Sequence, residues 1–320
     1  MDLAKITSAV VVASALITSQ ATAEAQTLLK PDETFLYAQK DSCDLYMDVY
    51  YPADGSIITY EDMTKPVILF MFGGGFKEGQ RDAAYFNPWF KLLTDDGYTV
   101  VSIDYRLGLK DVDKMGLMQA GVLENAIHMA VEDLFSATNF IIDNAVEVDL
   151  DPYNIVISGS SAGAITVMQA EWEICNLKER ASVLPQGYNY RGVMSFAGAI
   201  FSREGRIRYR TEPCPTLMLH GTADKIVNYR KLAFLNLNFA GTACIAPAFE
   251  KGGFNYNVLR YEGHGHEISS SMAQTYAEQK RFLETNVMKG ERKTVDALVN
   301  DPYIPIPDWG LGKGKDIYKD

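Results

Sequence analysis

Two apolar patterns alternate along this chain. The first is a short unbroken run, as in "PVILFMF" (66–72), "YTVVSIDY" (98–105), "YNIVISG" (153–159), "GVMSFAGAI" (192–200) and "TLMLHG" (216–221). Runs without polar interruption fit strands covered on both faces, as in a parallel sheet. "LYMDVYYP" (45–52) alternates instead, as a half-exposed strand does, and stops at Pro52. The second pattern recurs every three or four residues: Leu123, Ile127, Ala130, Leu134, Ala137 and Ile141 put one apolar stripe on a helix over 117–145. Further helices are expected at 162–178, near 226–239 and near 269–288, with the strand "YNVLRYEGHGH" (256–266) between the last two. Strands alternating with helices predict the α/β class, a mostly parallel central sheet flanked by helices on both faces. The tail from about 290 holds "NDPYIPIPDWGLGKGKD" and is expected to be irregular, wrapped on the body through Tyr303, Ile306 and Trp309. No repeat or linker divides the chain, so residues 26–320 are expected to form one domain.

Composition changes this picture little. With 47% hydrophobic and 22% charged residues, 320 residues supply ample core for one large domain. A net charge of -11 argues against nucleic acid or anionic lipid as the main partner. The first 25 residues stand apart. Lys5, a small-apolar stretch from Ala9 to Ile17, and Ala-x-Ala sites at Ala21–Ala23 and Ala23–Ala25 have the layout of a secretory signal peptide. A periplasmic or secreted location is therefore expected. The leader's apolar run is too short for a membrane span, and no later stretch approaches the length one needs. Cys43, Cys175, Cys214 and Cys244 form no C-x-x-C and fit no zinc spacing. In an exported chain one or two disulfides are open to them; buried free thiols are the other reading.

Candidate chemistry begins at Gly159-Ser160-Ser161-Ala162-Gly163, a G-x-S-x-G entered by an apolar run and left by a helix-forming one. That context makes it a nucleophile elbow, a tight strand-to-helix turn that lifts Ser161 to the top of a sheet. Ser160 is out of register. A serine hydroxyl needs a base within hydrogen-bond reach. Of the four histidines, His128 lies inside a helix whose register points it away from the sheet top, and His220 is placed to support an acid loop. His264 and His266 both follow a strand in "EGHGHE"; His266 is favoured because it leads directly into the last helix. Asp224, in "HGTAD" after the preceding strand, is the acid that would orient the imidazole, against the simpler reading of a turn aspartate. The chain order Ser161, Asp224, His266 separates this set from the chymotrypsin and subtilisin orders.

"FGGGF" (72–76) asks for a close visitor to the backbone. It lacks the Gly-Lys-Ser/Thr of a phosphate loop, and Glu78 stands where a dinucleotide fingerprint needs its third glycine. Following a sheet strand, the amides of Gly74 and Gly75, with that of Ala162, suit an oxygen that becomes negative during acyl transfer. Arg106 in "DYRLG" (104–108) is expected to anchor loops beneath the site, and Glu132 and Asp133 to form a solvated helix face. Phe72, Phe76, Trp89 and Tyr229 are candidates for an acyl or aromatic pocket, with core packing as the alternative.

The segments "FGGGF", "DYRLG", "GSSAG", "HGTAD" and "GHGHE" together resemble the α/β-hydrolase superfamily over roughly residues 43–288, in its carboxylesterase and hormone-sensitive-lipase-like branches. Within it, the set looks most like the secreted esterases of gut and rumen Bacteroidetes grouped as bifunctional feruloyl and acetyl xylan esterases. Phe72 departs from the commoner H-G-G-G, which puts in doubt whatever that histidine side chain orients. The resemblance implies a serine carboxylesterase that uses no metal or organic cofactor. It acts on acetyl or feruloyl esters, free or linked to plant polysaccharide. A prolyl-oligopeptidase-like peptidase and a non-catalytic hydrolase-fold binding protein are the alternatives.

Overall fold

The computed structural model describes residues 29–306 apart from 53–58, 61–62, 113–119 and 235–236. The expected leader and Trp309 lie outside those residues. Its strands are β1 (Glu33–Lys40), β2 (Cys43–Tyr50), β3 (Thr59–Tyr60), β4 (Met63–Thr64), β5 (Val67–Met71), β6 (Val100–Ile103) and β7 (Ile155–Ser160). They continue with β8 (Gly192–Phe196), β9 (Ala199–Ser202), β10 (Thr216–Gly221), β11 (Lys231–Phe234), β12 (Leu237–Gly241), β13 (Tyr256–Tyr261) and β14 (Val295–Val299). The α-helices are α1 (Asn87–Asp95), α2 (Ala120–Asp143), α3 (Ala162–Cys175), α4 (Thr242–Gly252) and α5 (Tyr276–Phe282).

Nine strands form one sheet in the order β1-β2-β6-β5-β7-β8-β10-β13-β14. All pairs from β6 to β14 are parallel, while β2 joins β6 and β1 joins β2 in antiparallel fashion. Every residue of β5, β6, β7, β8 and β10 is buried, so helices cover both faces of the central sheet, as their unbroken apolar runs require. On β5, Phe70 meets Phe86, Trp89 and Phe90 edge-on, with centroids 4.7, 5.1 and 5.6 Å away; this cluster fastens α1 to the sheet. No helix of the described residues is long and apolar enough to cross a membrane.

Three segments depart from expectation. Lys231–Phe234 and Leu237–Gly241 are antiparallel strands, β11 and β12, not a helix; β12 also pairs with β9 to make a separate three-stranded sheet, and the helix begins only at Thr242. "GVMSFAGAI" is two strands that break at Ala197 and Gly198. The tail is not wholly irregular, because β14 extends the main sheet parallel to β13. Beyond β14, Ile304, 3% exposed, packs on the body, whereas Tyr303 and Ile306 are 89% and 61% exposed. The four cysteines are free: Cys175 and Cys214 are buried, Cys244 partly so, and Cys43 is exposed.

Candidate active site

Strand order decides where chemistry gathers. The chain leaves β5 for β6 on one side and returns to β7 on the other, so a crevice opens at the carboxyl ends of β5 and β7. The glycine loop leaves β5 at that point and Ser161 leaves β7 beside it. Ser161 has φ 50° and ψ -111°, a conformation costing on the order of 1–3 kcal/mol that the surroundings must hold. Its N–H donates to the Phe196 carbonyl (2.9 Å), and its own carbonyl accepts from Ile165 N (2.9 Å) as α3 begins. A Cβ on Gly163 would lie 2.1 Å from the Met71 carbonyl oxygen, so glycine there lets the elbow press against the end of β5.

Ser161 Oγ lies 2.8 Å from His266 Nε2, and His266 Nδ1 lies 2.7 Å from Asp224 Oδ2. All three residues are buried. The remaining Asp224 oxygen, Oδ1, accepts from the N–H groups of Ile226 (2.8 Å) and Val227 (3.1 Å), which fixes the carboxylate plane. Burial alone would push the Asp224 carboxyl up, but hydrogen bonds and charge from His220 and His266 outweigh it and bring it down to about 2. His220 Nε2 faces two acceptors, the Val227 carbonyl (2.9 Å) and Asp224 Oδ2 (3.3 Å), so this nitrogen carries a hydrogen. Its Nδ1 is left to accept from the Thr242 hydroxyl at 2.9 Å. His264 is turned away, with Nδ1 3.1 Å from Glu267 Oε1 and Nε2 3.2 Å from the Asp301 carbonyl. His128 lies on α2, its Nε2 3.9 Å from Glu173 Oε1.

The acid and base loops are joined along their backbones. Ala223 N donates to the His264 carbonyl (2.8 Å), and Gly263 N donates to Thr222 Oγ1 (3.0 Å). A Cβ on Gly221 would stand 2.2 Å from the Gly265 carbonyl oxygen. Ser160, out of register for nucleophilic attack, donates its hydroxyl to the Ser269 carbonyl (2.7 Å) and so ties the elbow to the turn that carries His266. Glu267 Oε1 accepts from Gly265 N at 2.8 Å in the same turn. The roles of Thr222 and Ser160 escaped the sequence reading because their partners are set by tertiary approach, 41 positions away for Thr222 and 109 for Ser160.

Across the crevice, Gly74 has φ 128°, and a Cβ there would fall 1.8 Å from the Glu78 carbonyl oxygen, so only glycine fits. Its carbonyl accepts from Lys77 N (3.1 Å) and Glu78 N (3.2 Å), which closes the loop. The N–H of Ala162 is the first of α3 and has no acceptor within its own helix, where the dipole favours negative charge. Phe72 is buried and stacks on Tyr105 with centroids 4.4 Å apart, and the Tyr105 hydroxyl donates to the Phe72 carbonyl at 2.9 Å. Leu109 N donates to the Phe76 carbonyl (2.9 Å), so the "DYRLG" loop grips the glycine loop at both ends.

Phe72, Phe76, Trp89 and Tyr229 are all buried and belong to the packing rather than to an open pocket wall. Arg106 does anchor loops: its N–H donates to Asp133 Oδ2 (2.7 Å), and its guanidinium reaches Asp133, Glu132 and Asp41. Asp133 is therefore not on a solvated face. It is fully buried and also paired with Lys40, because α2 packs its side against the loop after β6. Among the described residues no group of histidine, cysteine and carboxylate side chains is arranged to hold a metal.

The BD-FAE family model matches residues 47–173, the stretch from β2 through α3 that holds the glycine loop and the elbow. A non-reducing polyketide synthase of Penicillium brasilianum is 34% identical over 145 residues, 44% of this chain and 5% of that protein. Esterase B1 of Culex pipiens is 32% identical over 102 residues, 32% of this chain and 18% of that protein. The chain thus spans only a small part of these relatives' length. The structure of a thermophilic esterase, Est2, from the Planctomycetes species Thermogutta terrifontis superposes with a TM-score of 0.57 at 24% identity, covering 81% of this chain and 95% of that one. That likeness is one of fold, and together with the sheet order it makes this chain an α/β-hydrolase fold.

Proposed function

We propose that this α/β-hydrolase-fold chain is a serine carboxylesterase, exported through its N-terminal leader, that cleaves acetyl or feruloyl esters carried by plant polysaccharide. The observation that carries the reading is the unbroken line of hydrogen bonds from Ser161 Oγ through His266 to Asp224 at the carboxyl edge of the sheet. In this mechanism Ser161 Oγ bonds to the ester carbonyl carbon while its proton passes to His266 Nε2. The carbonyl oxygen becomes negative and takes hydrogen bonds from the N–H groups of Gly74, Gly75 and Ala162, each donor lowering the barrier by ~3 kcal/mol. The carbon–oxygen bond to the alcohol then breaks, and His266 returns the proton to the leaving alkoxide. Water repeats the sequence on the acyl-enzyme, releasing the acid and restoring Ser161. Asp224, held ionised far below neutral pH, keeps Nδ1–H directed at itself and stabilises the imidazolium. The BD-FAE family-model match over the glycine loop and elbow supports ester chemistry; the finer choice of acetyl or feruloyl ester rests on the resemblance of the motifs.

Hydrolysis of p-nitrophenyl acetate by the purified chain is the first test. Ser161→Ala and His266→Ala are each expected to lower kcat by at least ~1000-fold, and His264→Ala far less. Full activity in Ser161→Ala would end the mechanism, and a greater loss at His264 than at His266 would reassign the base. Release of acetate or ferulate from xylan, measured beside prolyl-peptide substrates, tests the ester assignment. Cleavage of the peptides alone would replace it.

A further inference from the structure

A second concavity, of about 860 Å3, lies between the 206–209 segment, β12 and α4. Four cations line it, Arg206, Arg208, Lys231 and Lys251, and among the described residues no carboxylate does. All four are exposed, and none is in an ion pair among the described residues. Of the acids near them in sequence, Glu204 pairs with Lys178 and Glu212 with Arg292, while Glu250, beside Lys251, is not part of the lining. In a chain of net charge -11, four like charges gathered around one cleft repel one another. The floor between them is apolar, with Ile207, Tyr209, Pro247 and Phe254.

The walls are fixed rather than loose. The Arg208 carbonyl accepts from Trp172 Nε1 (3.0 Å) and Asn176 Nδ2 (3.1 Å), and the Gly205 carbonyl accepts from Asn238 Nδ2 (2.5 Å). Tyr209 packs edge-on against Phe249 and Phe254, at 5.2 and 5.9 Å. The cleft also adjoins the acid loop. Ala243 N donates to the Tyr229 carbonyl and Gly241 N to the Arg230 carbonyl, so the segment from Asp224 to Lys231 runs straight from the triad into the wall.

We infer that this cleft binds a carboxylate-bearing oligosaccharide, an acidic stretch of the polymer that carries the ester. This rests on the ester-hydrolase reading for its biological sense but not for its test. The volume lies within the range of small-ligand sites, roughly 300–1,000 Å3, and suits a few sugar rings rather than a duplex. Uronate carboxylates, spaced by whole sugar units, meet separated guanidinium and ammonium groups, while the sugars' apolar faces rest on the floor. A densely charged polyphosphate would be repelled by the rest of an acidic chain, whereas a sparsely charged saccharide is repelled much less.

Calorimetric titration with hexagalacturonate, neutral xylohexaose and a short single-stranded DNA tests the assignment. The galacturonate is expected to bind, weakening as salt rises, while the neutral sugar binds at least tenfold less tightly. Arg208→Gln and Lys251→Gln should each weaken galacturonate binding roughly tenfold, in line with the loss of one charge-assisted contact. Arg210→Gln, an exposed arginine outside the cleft, should leave it unchanged, and all three variants should hydrolyse p-nitrophenyl acetate as the parent does. Equal binding of the neutral sugar, tighter binding of DNA, binding of none of the three, or indifference to both cleft variants would overturn the inference. Galacturonate binding in a chain that fails to cleave any ester would sustain the cleft and sink the catalytic reading.

Discussion

At the scale of single residues, Phe72 shows how a departure from a motif is absorbed. A phenylalanine ring cannot hydrogen-bond, and the "DYRLG" loop supplies the missing tether through Tyr105, which stacks on the ring and donates to its carbonyl. Tyr105→Phe keeps the stack and removes the bond. Stability is expected to fall by ~1 kcal/mol, and kcat on p-nitrophenyl acetate by a few-fold with KM nearly constant, since only the placement of the amide donors is loosened. An unchanged kcat would mean that stacking alone holds the loop. Asp224 gives a sharper case through acid. Its folded carboxyl sits near 2 against an ordinary 3.8, so the folded state binds its proton less readily than the unfolded chain. The resulting stabilisation, on the order of 2 kcal/mol, is fully present above about pH 4 and is lost as pH falls through about 2. Chemical denaturation of the parent and of Asp224→Asn across that window should show the difference between them shrinking as acid is added; a constant gap would contradict it.

Between residues and the whole lie the elements, and here the elbow depends on backbone approach. The Gly163 Cα faces the Met71 and Phe72 carbonyl oxygens, 2.1 and 2.7 Å from where a Cβ would stand. Gly163→Ala must therefore push α3 off the end of β5. A loss of ~3 kcal/mol or more, or failure to fold, is expected in thermal melts, with activity lost in whatever folds. The same elements show what the sequence could convey. Strands β5, β7, β8 and β10 were readable because each is buried on both faces and so is apolar throughout. The triad candidates were readable because each follows one of these strands or β13. The hairpin of β11 and β12 was not, since "KLAFLNLNFAG" carries apolar residues at spacings that serve a helix as well as a strand. What decides is pairing with β9, 36 to 42 residues earlier in the chain. Strand β14 was hidden for a similar reason: an edge strand with every second residue exposed gives a weak signal beside the prolines that follow it. Asp133, acidic and next to Glu132, read as surface because its partners Arg106 and Lys40 come from a distant loop and from the end of β1.

The whole molecule brings its proposed chemistry to one edge of one sheet, and nothing there hangs from a peripheral loop alone. Ser161 is fastened to β8 through Phe196, the turn bearing His266 is fastened to β7 through Ser160, and the Asp224 loop is sewn to the histidine loop through Ala223 and Thr222. These bonds join the strands at the centre of the fold, which open only in near-global unfolding. The seam therefore has a consequence for heat: inactivation should not precede melting. Residual p-nitrophenyl acetate hydrolysis and tryptophan fluorescence, followed together along a temperature ramp, are expected to fall at the same midpoint. Activity disappearing several degrees earlier would mean that the histidine turn can detach while the sheet still stands.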